Sequence, residues 1–426
     1  MKKTVQKIIH NSGIIVFILF LFAWEGTSAQ TIDKTGYNSG HYCYSNNSTA
    51  ICQVLRKVRT QSAVNASSAA DVIIQAHRGS WGGDIPENSL AAFTKSINDG
   101  IKVIEVDIMP VDVTHGGLYT NAFSGQPSGL VAFHDYLLTR LANGAYANRV
   151  YSEDLDYLST LTLYKPRTNT FSDQKITTFS ALLKLAYDND VLLCADIKNL
   201  EANGHPPAFS TDAMNCKYWN TDERKLQSLI YNMKYAINNA PIEQLRNLVI
   251  KTYESYTTMK DKLTNPTSQN PVPLDKFNAV LWAPMYAPNS KFKDDRFTTN
   301  QSPAKIQTWF DEWFKVNNAV LYYETNIFNS FDKKSSVLLE KQYGTGVVKT
   351  DLFTYLVNKT GRRVGIFSEE PVGSRGVVNR WTDWKIKDAT TDRRGDQMWL
   401  LKIPFMKSGV ITTDRPDLWQ NFKGNN

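Results

Sequence analysis

The chain has 426 residues, a formal charge of +7 at neutral pH, 42% apolar residues and 21% charged residues. This composition is that of a globular protein, and it excludes a largely disordered or fibrous chain. The basic residues are scattered in short groups, which excludes an extended nucleic-acid-binding surface and leaves weak attraction of anionic substrates or lipid surfaces open.

The N-terminus, residues 1–29, predicts a secretory signal peptide. Three lysines within the first seven residues precede an apolar stretch over 13–24, and small residues over 27–29 suit cleavage before Gln30. The apolar stretch is about twelve residues long, which is short for a membrane span, and an uncleaved anchor is the alternative. We therefore expect a secreted or periplasmic protein.

Residues 30–70 are polar with little periodicity apart from a helical pattern over 51–58, and we predict an N-terminal extension that leads into the main domain. Export permits disulfide bonds, and four cysteines allow three pairings. We favour Cys43–Cys52 and Cys194–Cys216, because both bonds close short local loops. The alternative for Cys194 is a small buried strand residue.

Apolar, β-branched runs alternate with amphipathic stretches from residue 72 onward, which predicts a parallel α/β sheet or barrel over 71–426. Nine runs are one too many for an eight-stranded barrel, and we expect the extra one within 279–367. The runs lie at 72–75, 103–108, 130–133, 191–196, 248–252, 279–282, 319–323, 363–367 and 409–412. The amphipathic stretches lie at 89–99, 179–187, 222–238, 306–314 and 335–343.

Polar side chains that carry chemistry stand at the ends of the first four runs, as in a barrel enzyme. Glu105 and Asp107 are two residues apart on one strand and therefore point to the same face. Carboxylates of this kind hold Mg²⁺ or Ca²⁺, arginine and lysine bind phosphate oxygens, and paired histidines exchange protons near neutral pH. The residues are His77, Arg78, Glu105, Asp107, His134, Asp196 and Lys198.

Five short motifs in order resemble the glycerophosphodiester phosphodiesterases. They are His-Arg-Gly at 77–79, Pro-Glu-Asn-Ser at 86–89, Glu-x-Asp at 105–107, His-Asp at 134–135 and Thr-Asp-x-Pro at 413–416. The resemblance is clear over 72–200 and 405–419 and weak over 240–400. It implies an eight-stranded (β/α)8 TIM barrel with one divalent cation, Mg²⁺ or Ca²⁺, that hydrolyses a small-molecule or lipid phosphodiester to glycerol 3-phosphate and an alcohol.

The resemblance also implies a role for each motif residue. Glu87 and Asn88 are expected to support the site by closing the loop after the first strand, capping the next helix or orienting Arg78. The matching positions make Glu105, Asp107 and Asp196 metal ligands, His77 and His134 the acid–base pair, and Arg78 and Lys198 the phosphate-binding residues.

Two departures from the family pattern keep alternatives open. Asp196 stands where the family usually has glutamate, and Asp196-x-Lys198 is similar to the sphingomyelinase D-type enzymes that act on choline lipids; a structural ion pair with Lys198 is a further alternative. The segment 111–129 is longer than the family's link and is expected to reshape the pocket. A barrel that binds a phosphoryl headgroup without turnover is the third possibility.

Three tryptophans admit two interpretations each. Trp81 follows the first motif and is expected either to cover a choline headgroup or to pack in the loop. Trp381 and Trp384 are expected either to contact a membrane surface or to pack in the core.

Overall fold

A computed structural model describes residues 41–45, 48–60, 72–111, 127–135, 137–143, 150–166, 170–198, 222–286, 303–326, 356–357, 359–367, 409–414, 416–417 and 420. The predicted signal peptide, the helix expected over 335–343, most of the long segment 111–129, Cys216, Trp381 and Trp384 lie outside these residues. Lys34–Asn426 forms one compact unit. Within the described part of the chain, no helix combines the length and the hydropathy that a membrane span needs.

Eight parallel strands close into a barrel, which confirms the predicted (β/α)8 fold. Their order around the barrel is β1-β12-β11-β10-β9-β8-β7-β2, and β1 pairs with β2 to close it. In chain order the strands are β1 Ile73–His77, β2 Val103–Val111, β3 Gly129–Ala132, β4 Thr162–Tyr164, β5 Phe171–Lys175, β6 Thr177–Thr178, β7 Leu192–Ile197, β8 Leu248–Thr252, β9 Leu281–Tyr286, β10 Tyr323–Asn326, β11 Val364–Phe367 and β12 Val410–Thr413.

Helices surround the barrel, and four of those in the described residues begin after a residue whose side chain caps them, namely Ser89, Asp154, Thr178 and Ser255. The Ser89 hydroxyl accepts a hydrogen bond from Ala92 N, and the Thr178 hydroxyl accepts one from Ala181 N. In chain order the helices are α1 Ala50–Arg59, α2 Leu90–Asn98, α3 Leu155–Thr160, α4 Phe179–Asp188, α5 Asp222–Asn239, α6 Ile242–Leu245, α7 Tyr256–Thr264, α8 Leu274–Ala279 and α9 Pro303–Lys315. The predicted helices over 51–58, 89–99, 179–187, 222–238 and 306–314 correspond to α1, α2, α4, α5 and α9.

Of the nine predicted strands, β3 is the one that lies outside the barrel, so our expectation that the extra strand lies within 279–367 was wrong. β3 pairs antiparallel with the second half of β2, from Ile108 opposite Ala132 to Val111 opposite Gly129. β2 is nine residues long and extends beyond its parallel neighbours, which leaves an edge for a returning strand. Antiparallel strands can be joined without a helical crossover. The segment between β2 and β3 is nevertheless long enough to hold a crossover, so its length did not indicate that the two strands are antiparallel.

The N-terminal extension contributes α1 to the floor of the barrel. Ile51, Leu55 and Val58 of α1 form one buried cluster with the first inward-facing residues of the strands, among them Val103 and Leu192. At the end of α1, Arg59 Nη2 donates to Asn317 O at 3.2 Å and to Asn318 O at 2.8 Å. α1 therefore covers the end of the barrel at which the strands begin.

One of the two expected disulfides is present. Cys43 and Cys52 are bonded, and this bond joins the short 3₁₀ helix Tyr42–Tyr44 to α1. Cys194 is a free, fully buried thiol, so the predicted bond to Cys216 was wrong. The register of β7 points Cys194 into the barrel, where burial raises the pKa of its thiol to about 12. The alternative interpretation of Cys194, a small buried strand residue, is correct.

A second, smaller core lies outside the barrel against β3 and the end of β2. It includes Met109, Val131 and Phe133 together with Leu158 and Leu163 from the segment that follows. The antiparallel ribbon β4–β5 continues this layer. This satellite core supports the backbone at the end of β3. It therefore fixes the position of the backbone at His134 and Asp135, which follow.

Candidate active site

The sequence-predicted residues converge at the end of the barrel at which the strands finish. Side chains alternate in and out along each strand, so His77, Glu105 and Asp107 all face the interior. His77 is in register with Glu105 across β1 and β2, and Asp107 is in register with Asp196 across β2 and β7. The carboxyl ends of neighbouring parallel strands thus bring residues from distant parts of the chain together.

The loop after β1 is held in an unusual backbone conformation. Arg78 and Asn88 both have positive φ, 58° and 55°, which costs free energy for residues with a Cβ. Gly79 has φ 81°, and a Cβ at this position would lie 2.8 Å from Ala92 of α2. The loop therefore packs so tightly on α2 that glycine is required, and this packing fixes the direction of Arg78.

Asn88 connects this loop to the acidic strand β2. Its Nδ2 donates to Asp107 Oδ2 at 3.3 Å, and its Oδ1 accepts from the backbone N of Asp107 at 3.2 Å. Its own backbone N donates to Arg78 O at 3.0 Å. Asn88 thus connects the loop, the backbone of Arg78 and Asp107, and its supporting role stays a prediction.

Three side chains form a cluster with the geometry of a cation site. One potential ligand atom from each of His77, Glu105 and Asp107 lies within 4.8 Å of the others, and all three residues are buried. Asp196, the third metal ligand expected from the sequence, is not in this cluster and instead forms an ion pair with Lys198. The two carboxylates Glu105 and Asp107 are therefore the structure's best candidates for cation ligands.

Two cations hold the Asp107 carboxylate between them. Lys198 Nζ lies 2.8 Å from Asp107 Oδ1 and 2.5 Å from Asp196 Oδ2. Arg78 Nε lies 2.7 Å from Asp107 Oδ2, and Arg78 Nη1 lies 2.8 Å from Glu87 Oε1. Glu87 therefore pairs with Arg78, and its expected role in orienting Arg78 stays a prediction.

These ion pairs control which groups at the site are charged. Burial by itself would raise the pKa of Asp107, but Lys198 and then Arg78 outweigh it and hold that pKa well below its usual value. Burial likewise opposes the charge on Lys198, and Asp107 and Asp196 nevertheless raise its pKa. Asp107 and Lys198 are consequently both ionised at neutral pH.

The two histidines approach Asp107 from different elements. His77 is fully buried; its Nδ1 donates to Asp414 Oδ1, and its Nε2 lies 3.6 Å from Glu105 Oε2. His134 is half-buried, and its Nδ1 lies 2.6 Å from Asp135 Oδ1. Positive charge on either imidazole lowers the pKa of Asp107, so both rings lie close enough to interact with its carboxylate.

The two imidazoles differ in the charged groups around them. Burial, followed by the nearby Arg78 guanidinium, lowers the pKa of His134 below its ordinary value. Asp107 and Asp135 oppose this shift without reversing it. Carboxylates contact both nitrogens of His77, from Asp414 on one side and Glu105 on the other. The surroundings of His134 thus favour the neutral ring, and those of His77 offset the charge of an imidazolium.

Three charged residues of the site escaped the sequence-based prediction of roles. Asp414 lies within the last motif and fixes His77, and it also accepts from Trp81 Nε1 at 3.3 Å. Lys251 and Glu324 face the barrel interior below the acidic cluster, 2.9 Å apart. A lysine inside the apolar run 248–252 was a usable signal, because charged residues are rarely buried without a partner.

The charges of the described residues fit a divalent cation. Apart from the His134–Asp135 pair, the site holds the carboxylates of Glu87, Glu105, Asp107, Asp196, Glu324 and Asp414. Against these six carboxylates stand the three cations Arg78, Lys198 and Lys251, with His77 as a fourth when its ring is protonated. Buried negative charge in excess requires compensation, and oxygen ligands suit a hard divalent ion. The residues present therefore fit Mg²⁺ or Ca²⁺.

Comparisons with known proteins reveal similar structures. No family model matches the chain, and no curated protein matches it by sequence. A glycerophosphoryl diester phosphodiesterase from Parabacteroides distasonis is similar, with 14% identity, TM-score 0.48 and coverage of 88% of this chain and 92% of that one. A putative glycerophosphoryl diester phosphodiesterase from Silicibacter pomeroyi gives 13% identity, TM-score 0.48 and coverage of 87% and 97%.

A third solved structure is a phosphodiesterase from Oleispira antarctica in complex with the product sn-glycerol-3-phosphate. It shares 14% identity at TM-score 0.42, and the match covers 84% of this chain and all of that one. Similarity at this level carries no functional argument. The fold assignment rests on the closed register of the eight parallel strands, and any function must be inferred from the site itself.

Proposed function

We propose that the protein is a metal-dependent phosphodiesterase that hydrolyses glycerophosphodiesters to glycerol 3-phosphate and an alcohol. The observation that carries this proposal is the convergence of two imidazoles, two carboxylates and two cations around Asp107. This set provides proton transfer, a cation site and neutralisation of phosphoryl oxygens, which are the three requirements of phosphodiester hydrolysis. The five motifs that the sequence shares with the glycerophosphodiester phosphodiesterases support the choice of substrate.

Glu105 and Asp107 would hold the cation, and Asp196 is the third ligand that the motifs imply. When bound, the cation neutralises and polarises the phosphoryl oxygens of the substrate. His77 belongs to the same cluster, but we assign its imidazole to proton transfer, because Asp414 occupies its Nδ1 and hard cations prefer oxygen ligands. Arg78 and Lys198 supply the remaining positive charge to the phosphate.

The groups around each histidine suggest a role for it. His134, whose pKa is lowered, is neutral at pH 7 and accepts the proton of the attacking hydroxyl, from water or from the substrate. His77, flanked by Asp414 and Glu105, donates a proton to the leaving alcohol oxygen as the phosphorus–oxygen bond breaks. Attack by a substrate hydroxyl would form a cyclic phosphate, which water then opens.

Phosphorus NMR tests this function directly. The protein is incubated with glycerophosphocholine or glycerophosphoethanolamine and either Mg²⁺ or Ca²⁺, and we expect the diester resonance to be replaced by that of glycerol 3-phosphate. The His77→Asn and His134→Asn variants are the controls, since they keep a polar side chain beside Asp414 and Asp135. Absence of turnover with both cations would contradict the proposal, and binding without turnover would favour a non-catalytic phosphoryl-binding barrel.

A second candidate is a sphingomyelinase D-type enzyme acting on choline lipids. The specific observation in its favour is Asp196, whose short side chain pairs with Lys198 in the Asp-x-Lys pattern similar to that group. The same NMR experiment with lysophosphatidylcholine and sphingomyelin separates the two. Release of cyclic phosphate from the lipids alone, with glycerophosphocholine untouched, would favour this second candidate.

We also propose that the protein acts outside the cytoplasm. The N-terminal signal pattern supports export, and the Cys43–Cys52 bond is in keeping with an oxidising compartment. Fractionation of expressing cells, with N-terminal sequencing of the exported form, tests this proposal. We expect a mature chain that begins at Gln30, and full-length protein in the cytoplasm would contradict it.

A further inference from the structure

Lys251 is a charged residue buried inside the barrel. It follows the buried apolar residues 248–250 in β8, and its exposed fraction is 4%. Its Nζ lies 2.9 Å from Glu324 Oε2 of β10 and 3.6 Å from Glu105 Oε1 of β2. Neither β2 nor β10 is adjacent to β8 in the sheet, so the lysine reaches across the barrel interior. One ammonium group therefore connects three strands directly below the acidic cluster.

Glu324 is itself fixed by a chain of hydrogen bonds. Thr412 Oγ1 donates to Glu324 Oε1 at 2.7 Å, and Gln75 Nε2 donates to Thr412 Oγ1 at 3.1 Å. Both Thr412 and Gln75 are fully buried. The Glu324 carboxylate therefore has one oxygen on Thr412 and the other on Lys251, which leaves it a single orientation. Glu324, with its orientation fixed, therefore holds the Lys251 ammonium in place.

Stability does not explain this buried pair. Replacing a buried ion pair by well-packed apolar residues is often neutral or stabilising, because the desolvation of two charges offsets their attraction. The residue in register with Lys251 on β9 is the uncharged Ala283, and the preceding inward-facing residue of β8, Val249, belongs to the apolar cluster. An apolar side chain at position 251 would continue that cluster, so the position of the ammonium next to Glu105 calls for a different explanation.

We propose that Lys251 is a positioning residue that holds the Glu105 carboxylate in the orientation in which it binds the cation. Glu105 Oε2 accepts from the backbone N of Arg78 at 3.2 Å, and Oε1 faces Lys251. The two contacts act on opposite oxygens, so together they set the plane of the carboxylate. Groups that orient a metal-ligating carboxylate commonly change metal affinity 10- to 100-fold when they are removed. This inference rests on the proposed function, because it requires the cation site.

The test is the double variant Lys251→Met/Glu324→Gln. A single Lys251→Met change would leave Glu324 buried without its partner, which destabilises the fold and obscures the result. The double variant removes both charges and keeps the net charge of the site. We expect the dissociation constant of Mg²⁺ or Ca²⁺, measured by titration calorimetry, to rise about 10- to 100-fold while the melting temperature stays near that of the unchanged protein. If this variant does not fold, Lys251→Gln/Glu324→Gln keeps a hydrogen bond between the two side chains without charge.

Cys194→Ala provides the matched control for a purely structural effect. Cys194 also faces the barrel interior and is in register with Glu105, but its thiol is neutral at pH 7 because burial raises its pKa. The substitution leaves a small cavity, so we expect a lower melting temperature and an unchanged cation affinity. At saturating cation, the KM of the double variant for glycerophosphocholine should also stay near that of the unchanged protein, because Arg78 and Lys198 are untouched.

The outcomes separate this inference from the proposed function. A weakened cation affinity in the double variant, with the affinity of Cys194→Ala unchanged, supports the positioning role. If the unchanged protein and the double variant bind the cation equally well, the inference is overturned and the proposed function stands. If the unchanged protein binds neither Mg²⁺ nor Ca²⁺, both are overturned.

Discussion

The two ends of the barrel are built from opposite kinds of residue. At the end where the strands begin, α1 and the Cys43–Cys52 bond cover a floor of aliphatic side chains. At the end where they finish, carboxylates, arginine, lysines and imidazoles are buried against one another. One end buries apolar area, which stabilises the fold, and the other buries charge, which is costly and useful mainly for chemistry. One end of the barrel therefore contributes mainly to stability and the opposite end mainly to function.

The loop after β1 adds backbone strain to the charged end. Among the described residues, four non-glycine residues have positive φ: Arg78 and Asn88 lie in this loop, and Asp190 and Asn270 lie elsewhere. Each such residue costs about 1–3 kcal/mol and persists only where its surroundings hold it. Here the Asn88 amide and the packing of Gly79 on α2 provide that support. The apolar end must therefore offset the free-energy cost of the charged end. We expect substitutions at the apolar end to change stability and substitutions at the charged end to change activity.

The largest effect is expected from the histidines of the charged end. His77→Asn and His134→Asn should each lower kcat about 10²- to 10⁴-fold, because each removes one step of proton transfer, while leaving the melting temperature nearly unchanged. Phosphorus NMR with glycerophosphocholine measures the rate. His41→Asn is the control, since His41 is buried at the other end of the barrel. Wild-type rates in either site variant would remove that histidine from the mechanism.

The reverse effect is expected at the apolar end. Leu55 of α1 is fully buried in the floor cluster, so Leu55→Ala should lower the free energy of unfolding by about 2–5 kcal/mol through lost burial and a residual cavity. Denaturant titration measures this loss. At a temperature where the variant is folded, its kcat and KM should equal those of the unchanged protein. A large loss of kcat in this folded variant would show that the two ends are coupled.

The pH dependence of stability provides a third way to distinguish the ends. Burial, followed by Arg59, lowers the pKa of His41 to about 3, and its Nδ1 accepts from Cys43 N at 3.1 Å. Between pH 6.5 and 3 the unfolded chain binds a proton that the folded chain does not. The contribution of His41 is therefore complete above pH 6.5 and declines as the pH falls, by about 3 kcal/mol between pH 7 and 4.

His41→Asn isolates this contribution, because asparagine can still cap the 3₁₀ helix but does not titrate. Denaturant titrations of both proteins at pH 7 and pH 4 give the comparison. The unchanged protein should lose more stability on acidification than the variant does. Equal losses in the two proteins would mean that His41 is not buried in its neutral form.

The smallest effect is expected from the disulfide. Cys43 and Cys52 are nine residues apart, so the bond closes a short loop. Loop-closure entropy gives a stabilisation of about 2–3 kcal/mol for a loop of this length. Cys43→Ala/Cys52→Ala should lower the free energy of unfolding by this amount and leave the cation affinity unchanged. A changed affinity would show that the floor of the barrel influences the site above it.

Much of the fold was predictable because it depends on local patterns. The strand–helix alternation and the motifs at strand ends gave the barrel, and α1, α2, α4, α5 and α9 matched their amphipathic patterns. Periodicity could not distinguish β3 from a barrel strand, because an antiparallel edge strand and a parallel one are equally apolar when both are buried. The same limit applies to Cys194, whose spacing from Cys216 suggested a bond although its register in β7 points it into the interior.

The candidate site was predictable residue by residue but not as a set of contacts. Residue types at strand ends singled out His77, Glu105 and Asp107, and the structure brings these three into one cluster. Asp196 was expected beside them. It lies outside the cluster and forms an ion pair with Lys198. Asp414, Lys251 and Glu324 were not assigned roles, since each gains its partner only across the barrel. Their functions as we propose them depend on distances that no spacing in the sequence encodes.

The amino-acid sequence by itself determined the alternation of strands and helices, the glycine and asparagine of the loop after β1, and the kinds of group available for chemistry. These features follow from side-chain period and backbone preference, which act over a few neighbouring residues. Only the tertiary structure decided which strand lies outside the barrel, which end α1 covers and which charges meet. Those outcomes depend on closing the barrel, which places residues hundreds of positions apart, such as His77 and Asp414, in direct contact.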